Sequence, residues 1–385
     1  MKKTTCIASL MVCLSMGQAG ALAQNIRIDM NKTYPEKTIS LQKVADVKYI
    51  PLETTDEALF NGVVTHLSAE GIAGFNKKEG DILVFDGTGK AIASFNHTGQ
   101  GPNEYNKIYH LDVDWKQKEV YVQDNFRQKI RIYALDGSHL RTIDLQETMQ
   151  EGDLYNFSDT HLIYYAKPKS KPVTAYQPVT LLSKKDASKV TLPFTKTDDN
   201  LVKATGGPFG DMKMSAKNVN LLCKKGDEVY VNEVTADVIY RVENNHALTP
   251  VVERTPSYQD ASGQNFFLML TGANARYYFF KRQQALLEFQ GNAATDTKST
   301  YVAYDRKEKQ LLNPTFTNED YPSQDIPMSK LLQCAGSANR CYLQLEAFKL
   351  KEALAEGKLK GTLKSIAEKL DEEDNPVLMV VEFKK

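Results

Sequence analysis

The stretch Ile82-Leu83-Val84-Phe85-Asp86-Gly87-Thr88-Gly89-Lys90-Ala91-Ile92-Ala93-Ser94-Phe95 holds two β-prone runs around a glycine turn. Glycine supplies the positive φ that such a turn needs, so the segment reads as a β-hairpin. The pattern returns 48 residues on, in Ile130-Arg131-Ile132-Tyr133-Ala134-Leu135-Asp136-Gly137-Ser138-His139-Leu140-Arg141-Thr142-Ile143. Phe85 and Tyr133, Gly89 and Gly137, Ile92 and Leu140, and Phe95 and Ile143 match at that one offset. Glu119-Val120-Tyr121-Val122 likewise returns as Glu228-Val229-Tyr230-Val231, 109 residues later or about two units. Short strands that alternate with turns, on a unit of about 40 to 55 residues, are what four-stranded propeller blades produce.

Further strands are expected at His161 to Ala166, Val179 to Leu182, Tyr277 to Phe280 and Tyr301 to Tyr304. The middle of the chain lacks the amphipathic helices that a doubly wound α/β fold places between its strands. Dividing the 385 residues, less a leader and a helical stretch, by a unit of roughly 50 gives an all-β, six-bladed propeller, with seven blades as the alternative. Helical spacing governs about 343–371: Leu345, Phe348, Leu350 and Leu354, then Leu363, Ile366, Ala367 and Leu370. Asp374-Asn375-Pro376 stops the helices, and residues 377–383 read as a last strand. That strand is expected to complete the blade begun near Val47 to Leu52, which would leave the ring no free edge.

At the N-terminus, Lys2 and Lys3 precede an apolar run from Cys6 to Met16 and then Ala21-Leu22-Ala23. This is the charged, apolar and small-residue order of a secretory signal, so residues 1–23 are expected to be cleaved and 24–385 to form a single propeller domain. The run is about half the roughly 20 residues that cross a bilayer. Lipid attachment at Cys13 fits less well, because a bulky Val12 precedes it. The expected location is therefore periplasmic or extracellular, with no membrane span. Cleavage leaves Cys223, Cys334 and Cys341, an odd set that argues against a disulfide framework. Cys334 and Cys341 could still close a short loop.

With 48 basic and 48 acidic residues and no charged tail, the chain lacks the basic footprint of a nucleic-acid binder. A monomer is expected. Its six histidines are scattered and form no zinc motif. Asp86 to Lys90 lacks the glycine spacing of a phosphate loop, and Ser40-Leu41-Gln42-Lys43 stands without the companion motifs of a serine hydrolase. Asp112 and Asp114 alternate along a strand that puts both carboxylates on one face, and Asp124 follows another strand. These three are the weak candidates for Ca²⁺ or another divalent ion, against the plainer reading of a polar strand face. Gly99-Gln100-Gly101-Pro102-Asn103-Glu104-Tyr105 is the most distinctive loop. Gly99 and Gly101 permit close backbone approach, Pro102 stiffens the turn, and Glu104 and Tyr105 offer an acceptor and a stacking face. These five, with Tyr109 and Phe126, are the ligand-binding candidates. Gly206-Gly207-Pro208-Phe209-Gly210-Asp211 partly echoes the loop, which favours a structural connection between blades. The basic loop Lys167-Pro168-Lys169-Ser170-Lys171-Pro172 reads as a solvated linker.

Tyr49-Ile50-Pro51-Leu52-Glu53-Thr54, the loop Gly99 to Tyr105, and Asp374-Asn375-Pro376-Val377-Leu378 together resemble the exported six-bladed, NHL-like β-propeller proteins of Gram-negative gut bacteria. The resemblance spans nearly all of the chain after the leader and implies ligand binding at one mouth of the central channel; it carries no catalytic motif. Three readings follow. The leading one is an exported, non-catalytic propeller binding a glycan, a peptide or an envelope protein. The second is a metal-dependent hydrolase or lyase of the lactonase type, with acids drawn from several blades. The third is a scaffold for protein assembly.

Overall fold

Alternating apolar residues with glycine-bearing turns every few residues leave the chain one good way to bury its strands, which is blade against blade around an axis. A computed structural model describes residues 26–124, 126–145, 148–167, 176–195, 201–205, 212–215, 221–258, 260, 266–284, 286–290, 293–294, 298–336 and 339–385. It is a six-bladed β-propeller. Blade 1 is Val63–Leu67, Gly71–Phe75, Ile82–Asp86 and Ala91–Phe95; blade 2 is His110–Asp114, Glu119–Asp124, Lys129–Ala134 and His139–Asp144. Blade 3 is Thr148–Asn156, His161–Lys167, Val179–Ser183 and Lys189–Thr191. Blade 4 is Leu222–Lys225, Glu228–Val231, Val238–Val242 and Leu248–Thr255, and blade 5 is Phe266–Ala273, Tyr277–Gln284, Ser299–Asp305 and Gln310–Asn318. The two hairpins that repeat at 48 residues are the outer halves of blades 1 and 2.

Blade 6 closes the ring. Val377–Phe383 lies between Arg340–Leu345 and the N-terminal Ala45–Pro51, with Val47 opposite Val381 and Ile50 opposite Leu378. The inner edge of this blade is the short segment around Leu332, which exchanges both backbone hydrogen bonds with Tyr342. The N-terminal chain does more than close one blade. Ile26–Asp29 adds in parallel to the outer strand of blade 4, and Glu36–Ser40 adds in parallel to that of blade 5. The first 26 described residues thus strap three consecutive blades. A further four-stranded sheet, from Met212–Ser215, Leu201–Thr205, Leu286–Gln290 and Ala293–Ala294, joins two connections and is not a member of the ring.

Six apolar clusters hold the blades together, one at each blade-to-blade interface. Between blades 1 and 2, for example, Phe75, Ile82 and Val84 meet Leu111, Val113, Val120 and Tyr133. The cluster between blades 5 and 6 also takes in the helices Ala347–Ala355 and Gly361–Ala367 through Leu350, Ala353, Leu363 and Ala367. The helical spacing expected from residue 343 starts later: Leu343 and Leu345 lie in a strand, because pairing with Met379 and Val377 overrides their local periodicity. The same strand separates Cys334 from Cys341. Cys341 sits in the cluster between blades 5 and 6 and Cys334 packs against the one between blades 6 and 1, so their side chains lie on opposite faces of blade 6 and both thiols are free.

Strand order sorts every connection onto one of two faces. The turns inside the first and last hairpins of each blade emerge on what we call the hairpin face. The links between blades, the turns between second and third strands, and the two helices emerge on the opposite, connection face. Among the described residues no helix is long and apolar enough to cross a membrane.

Candidate functional site

The inner strands place one polar side chain after another on the ring axis. His66 comes from blade 1, Asp112 from blade 2, Asn156 from blade 3 and Lys224 from blade 4. Asp112 is fully buried and gathers the others: its Oδ1 lies 2.9 Å from His66 Nδ1, and its Oδ2 accepts the Asn156 N–H at 2.9 Å and the Lys224 ammonium at 3.3 Å. Lys224 also donates to the Asn156 carbonyl at 2.7 Å. Burial pushes the Asp112 carboxyl up, but Lys224 and the His66 hydrogen bond outweigh it and hold the group well below the usual carboxylate range. The carboxylate is thus an ionised hub tying four blades.

Backbone bonds shut the axis at the hairpin face. Ala335 of blade 6 donates to Thr65 and accepts from Leu67 of blade 1, while Gly226 of blade 4 donates to Cys334 and accepts from Gly336. Gly336 has to be glycine here. Its φ is +106°, and a Cβ would stand 2.5 Å from His66 Nε2 and 2.8 Å from the Leu67 oxygen. His66 therefore has Asp112 on one ring nitrogen and the chain itself against the other. One step toward the connection face, His110 packs edge-on against Tyr155 with ring centroids 4.9 Å apart. Its Nε2 is enclosed and has no partner among the described residues. Burial lowers its pKa to about 4, so the ring is neutral at neutral pH. Burial likewise pushes the Cys334 thiol up to about 12, which keeps it protonated and a poor nucleophile.

The other two acids singled out from the sequence are also taken. Asp114 accepts from Lys184 at 2.6 Å, and that ammonium stands 5.2 Å from the centre of the Tyr121 ring. Asp124 faces the buried Arg131, with Nε 3.6 Å away, and accepts the Asn106 and Arg127 N–H groups. Each of the three carboxylates is thus neutralised by a cation from the chain. No group of three or more His, Cys, Asp or Glu side chains converges as a metal cage among the described residues.

The Gly99 to Tyr105 loop folds on itself. Gly101 donates to Glu104 Oε2 at 2.6 Å, and the buried Tyr105 gives its hydroxyl hydrogen to the Gly80 carbonyl and accepts the His97 N–H. Tyr105 therefore has no face left for a ligand. The Arg127 guanidinium gathers the carbonyls of Gly99, Gly101 and Glu104 at 3.0 to 3.2 Å, and Tyr133 donates to that of Asn103. Charge-assisted bonds of this kind are worth about 1.5–3 kcal/mol, so Arg127→Ala is expected to cost about 2 kcal/mol, read as a lower urea midpoint at unchanged slope. No change in midpoint would remove the loop's structural role. Pro102 and Phe126 stay exposed, the latter at 73%, and Tyr109 is half-buried with Lys107 Nζ 5.3 Å from its ring centre. Residues 206–211 and 168–172, two segments read from the sequence, lie outside the described residues.

Sequence reading missed His66, Lys184, Lys224 and Arg127. A signal existed for Lys224: Leu221-Leu222-Cys223-Lys224 puts a charge where an apolar strand residue is due, as Leu111-Asp112-Val113 does.

The comparisons agree with this architecture. Residues 25–382 match the model of a family described as a domain of unknown function, DUF4934. No curated protein matches the chain. Among solved structures, a Bacteroides fragilis protein carrying an exported-protein description superposes with a TM-score of 0.62 at 15% identity, over 94% of this chain and 99% of that one. A member of the DUF4221 family from Bacteroides vulgatus gives 0.50 at 9% identity, over 89% and 98%. At these identities the likeness is one of fold. The match over nearly the whole described chain, on a ring of six blades, makes this protein a member of the DUF4934 family.

Proposed function

We propose that the protein is an exported, non-catalytic binding module of the cell envelope that takes a peptide or glycan on its connection face. The observation that carries this reading is the closed axis. The fully buried Asp112 carboxylate is committed to His66 and Lys224, and the Cys334 thiol is protonated, so among the described residues the axis offers a substrate no free acid or nucleophile. What remains is surface. Phe126 at 73% exposure and Leu59 at 56% both lie in turns of the connection face, where the half-buried Tyr109 also emerges. Exposed aromatics on rigid turns are the common anchors of binding sites, because they lose little entropy on contact. Lys2, Lys3, the apolar run to Met16 and Ala21-Leu22-Ala23 support export to the periplasm or the extracellular space.

The test is a melting-temperature screen of residues 24–385 against envelope glycans and peptides, with chelator present. A ligand at 100 times its dissociation constant adds about 2.7 kcal/mol and raises Tm by a few degrees. Phe126→Ala is expected to leave the unliganded Tm unchanged and to weaken the hit at least about tenfold. Hydrolysis or elimination of a lactone by the purified protein, abolished by Asp112→Asn, would replace this reading with the lactonase-type one.

A further inference from the structure

Of the six histidines, four are spent inside the fold or on a neighbour. His66 is held by Asp112, His110 is enclosed on the axis, His97 Nε2 contacts the Gly137 carbonyl, and His139 Nε2 contacts the Thr142 hydroxyl. The other two meet across the groove between blades 3 and 4 on the hairpin face. His161 opens the second strand of blade 3, and His246 sits in the last hairpin turn of blade 4. Their ring centroids are 6.0 Å apart at an interplanar angle of 74°. Both rings are partly exposed.

The hydrogen-bond pattern leaves the nitrogens a ligand would need. His161 Nδ1 is held by the Thr160 hydroxyl at 2.8 Å, which fixes the ring and leaves Nε2 without a partner among the described residues. Neither ring nitrogen of His246 has a hydrogen-bond partner among the described residues. A second-sphere bond to one nitrogen with the other presented to solvent is how metal-binding imidazoles are oriented.

The backbone under His246 follows the last hairpin turns of the other blades. The His246 N–H donates to the Glu243 carbonyl in the same turn position where Gly89 donates to Asp86 and Gly137 to Ala134. That position has positive φ in all three: +94° and +88° for the glycines of blades 1 and 2, and +68° for His246. A side chain there costs conformational energy that glycine avoids. Ala187 of blade 3 and Lys309 of blade 5 take positive φ in their own last hairpin turns, at +57° and +52°, so the turn accepts a side chain and glycine at position 246 would fit it without strain.

We propose that His161 and His246 form a two-histidine site for a borderline divalent transition ion, Zn²⁺ or Cu²⁺, that clips blade 3 to blade 4. With metal–nitrogen bonds of about 2.0–2.1 Å, two imidazoles on one ion place their centroids roughly 5–6 Å apart, which the present spacing meets with little side-chain rotation. Imidazole nitrogen selects these ions over Ca²⁺ and Mg²⁺, and copper is expected to bind more tightly than zinc. No third histidine, cysteine or carboxylate joins the pair among the described residues, so water fills the remaining positions. The site is separate from the axis and from the connection face, and it stands whether or not the binding reading above holds.

The experiment is titration calorimetry of tag-free protein with CuCl₂ and with ZnCl₂, followed by electron paramagnetic resonance of the copper form. One ion per chain is expected, with nitrogen hyperfine structure from two imidazoles. His161→Gln and His246→Gly are each expected to weaken binding about tenfold or more, whereas His139→Gln leaves it unchanged. His246→Gly fits the left-handed turn, so its Tm is expected to hold or rise, which separates lost ligation from lost folding. Absence of metal-dependent heat in the parent protein, or the parent's affinity retained in either ligand variant, would overturn the proposal.

Discussion

Asp112→Ala is expected to destabilise the protein by about 3–5 kcal/mol, because it leaves the Lys224 ammonium buried without its counter-charge and the His66 ring without its hydrogen-bond partner. In a domain of this size that is a fall in Tm on the order of 10 °C, measured by calorimetry. The loss comes from an orphaned charge, and so it is expected to be largely recovered when the partner charge is removed too. Asp112→Leu with Lys224→Met should melt well above Asp112→Ala. Equal melting of the single and double variants would mean that the side-chain volume matters and the ion pair does not. The axis also sets the acid limb of stability. His110 has a folded pKa of about 4, below its ordinary 6.5, so the unfolded chain takes up its proton first as pH falls. Its contribution is complete above pH 6.5 and is lost between 6.5 and 4, at up to about 1.4 kcal/mol per pH unit. Asp112, also depressed, adds its loss only below the ordinary carboxylate value. A denaturation midpoint flat from pH 7 to 4 would contradict the enclosed, neutral His110.

The outer hairpins of blades 1 and 2 were legible because their information is local. Ile82 to Phe95 carries its own strands, its own turn and a glycine that the positive φ requires, and the Ile130 to Ile143 copy repeats all three. The final strand at residues 377–383 was legible for the same reason. Among the inner strands, the one bearing Asp112 and Asp114 was legible by its alternation, whereas those of blades 4 and 6 were not: Leu222 to Lys225 ends in two lysines, and 332–335 forms a single backbone pair before crossing toward blades 1 and 4. Ile26–Asp29 and Glu36–Ser40 were equally hidden, since an added outer strand takes its partner from a blade more than 200 residues away. The axial cluster was half visible. Asp112 stood out as an acid in an apolar strand, but its side-chain partners come from residues 46 and 112 positions away, and no local pattern announces such a partner. The loop at Gly99 drew attention for a sound reason, its glycines and its proline. Those features serve the Arg127 cage, and the exposed neighbour Phe126 is what remains for a partner.

The largest effect is expected from removing residues 376–385. Val377, Leu378, Met379, Val380, Val381 and Phe383 are all buried, between the two other strands of blade 6 and against the clusters on both of its faces. At about 1.5–3 kcal/mol for each large apolar side chain, their loss is on the order of 10 kcal/mol, as much as the whole stability of an ordinary domain. Deletion also leaves Ala45–Pro51 without a partner and bares the edge of Arg340–Leu345, a template for aggregation. Because blade 6 is the joint between the first and last parts of the chain, the damage does not stay in one blade. The N-terminal strap over blades 4 and 5 then lacks its anchor, and Ala335 no longer holds the axis. The truncated chain is expected to be insoluble or expanded, with lost near-ultraviolet dichroism and a larger fraction eluting in the void volume. A synthetic peptide of residues 372–385, supplied during refolding, is expected to restore part of the native signal, since the strand pairs on both sides and carries its register in its own alternation. A truncated protein that stays monomeric and melts like the full chain would show that the ring does not depend on closure by its terminal strands.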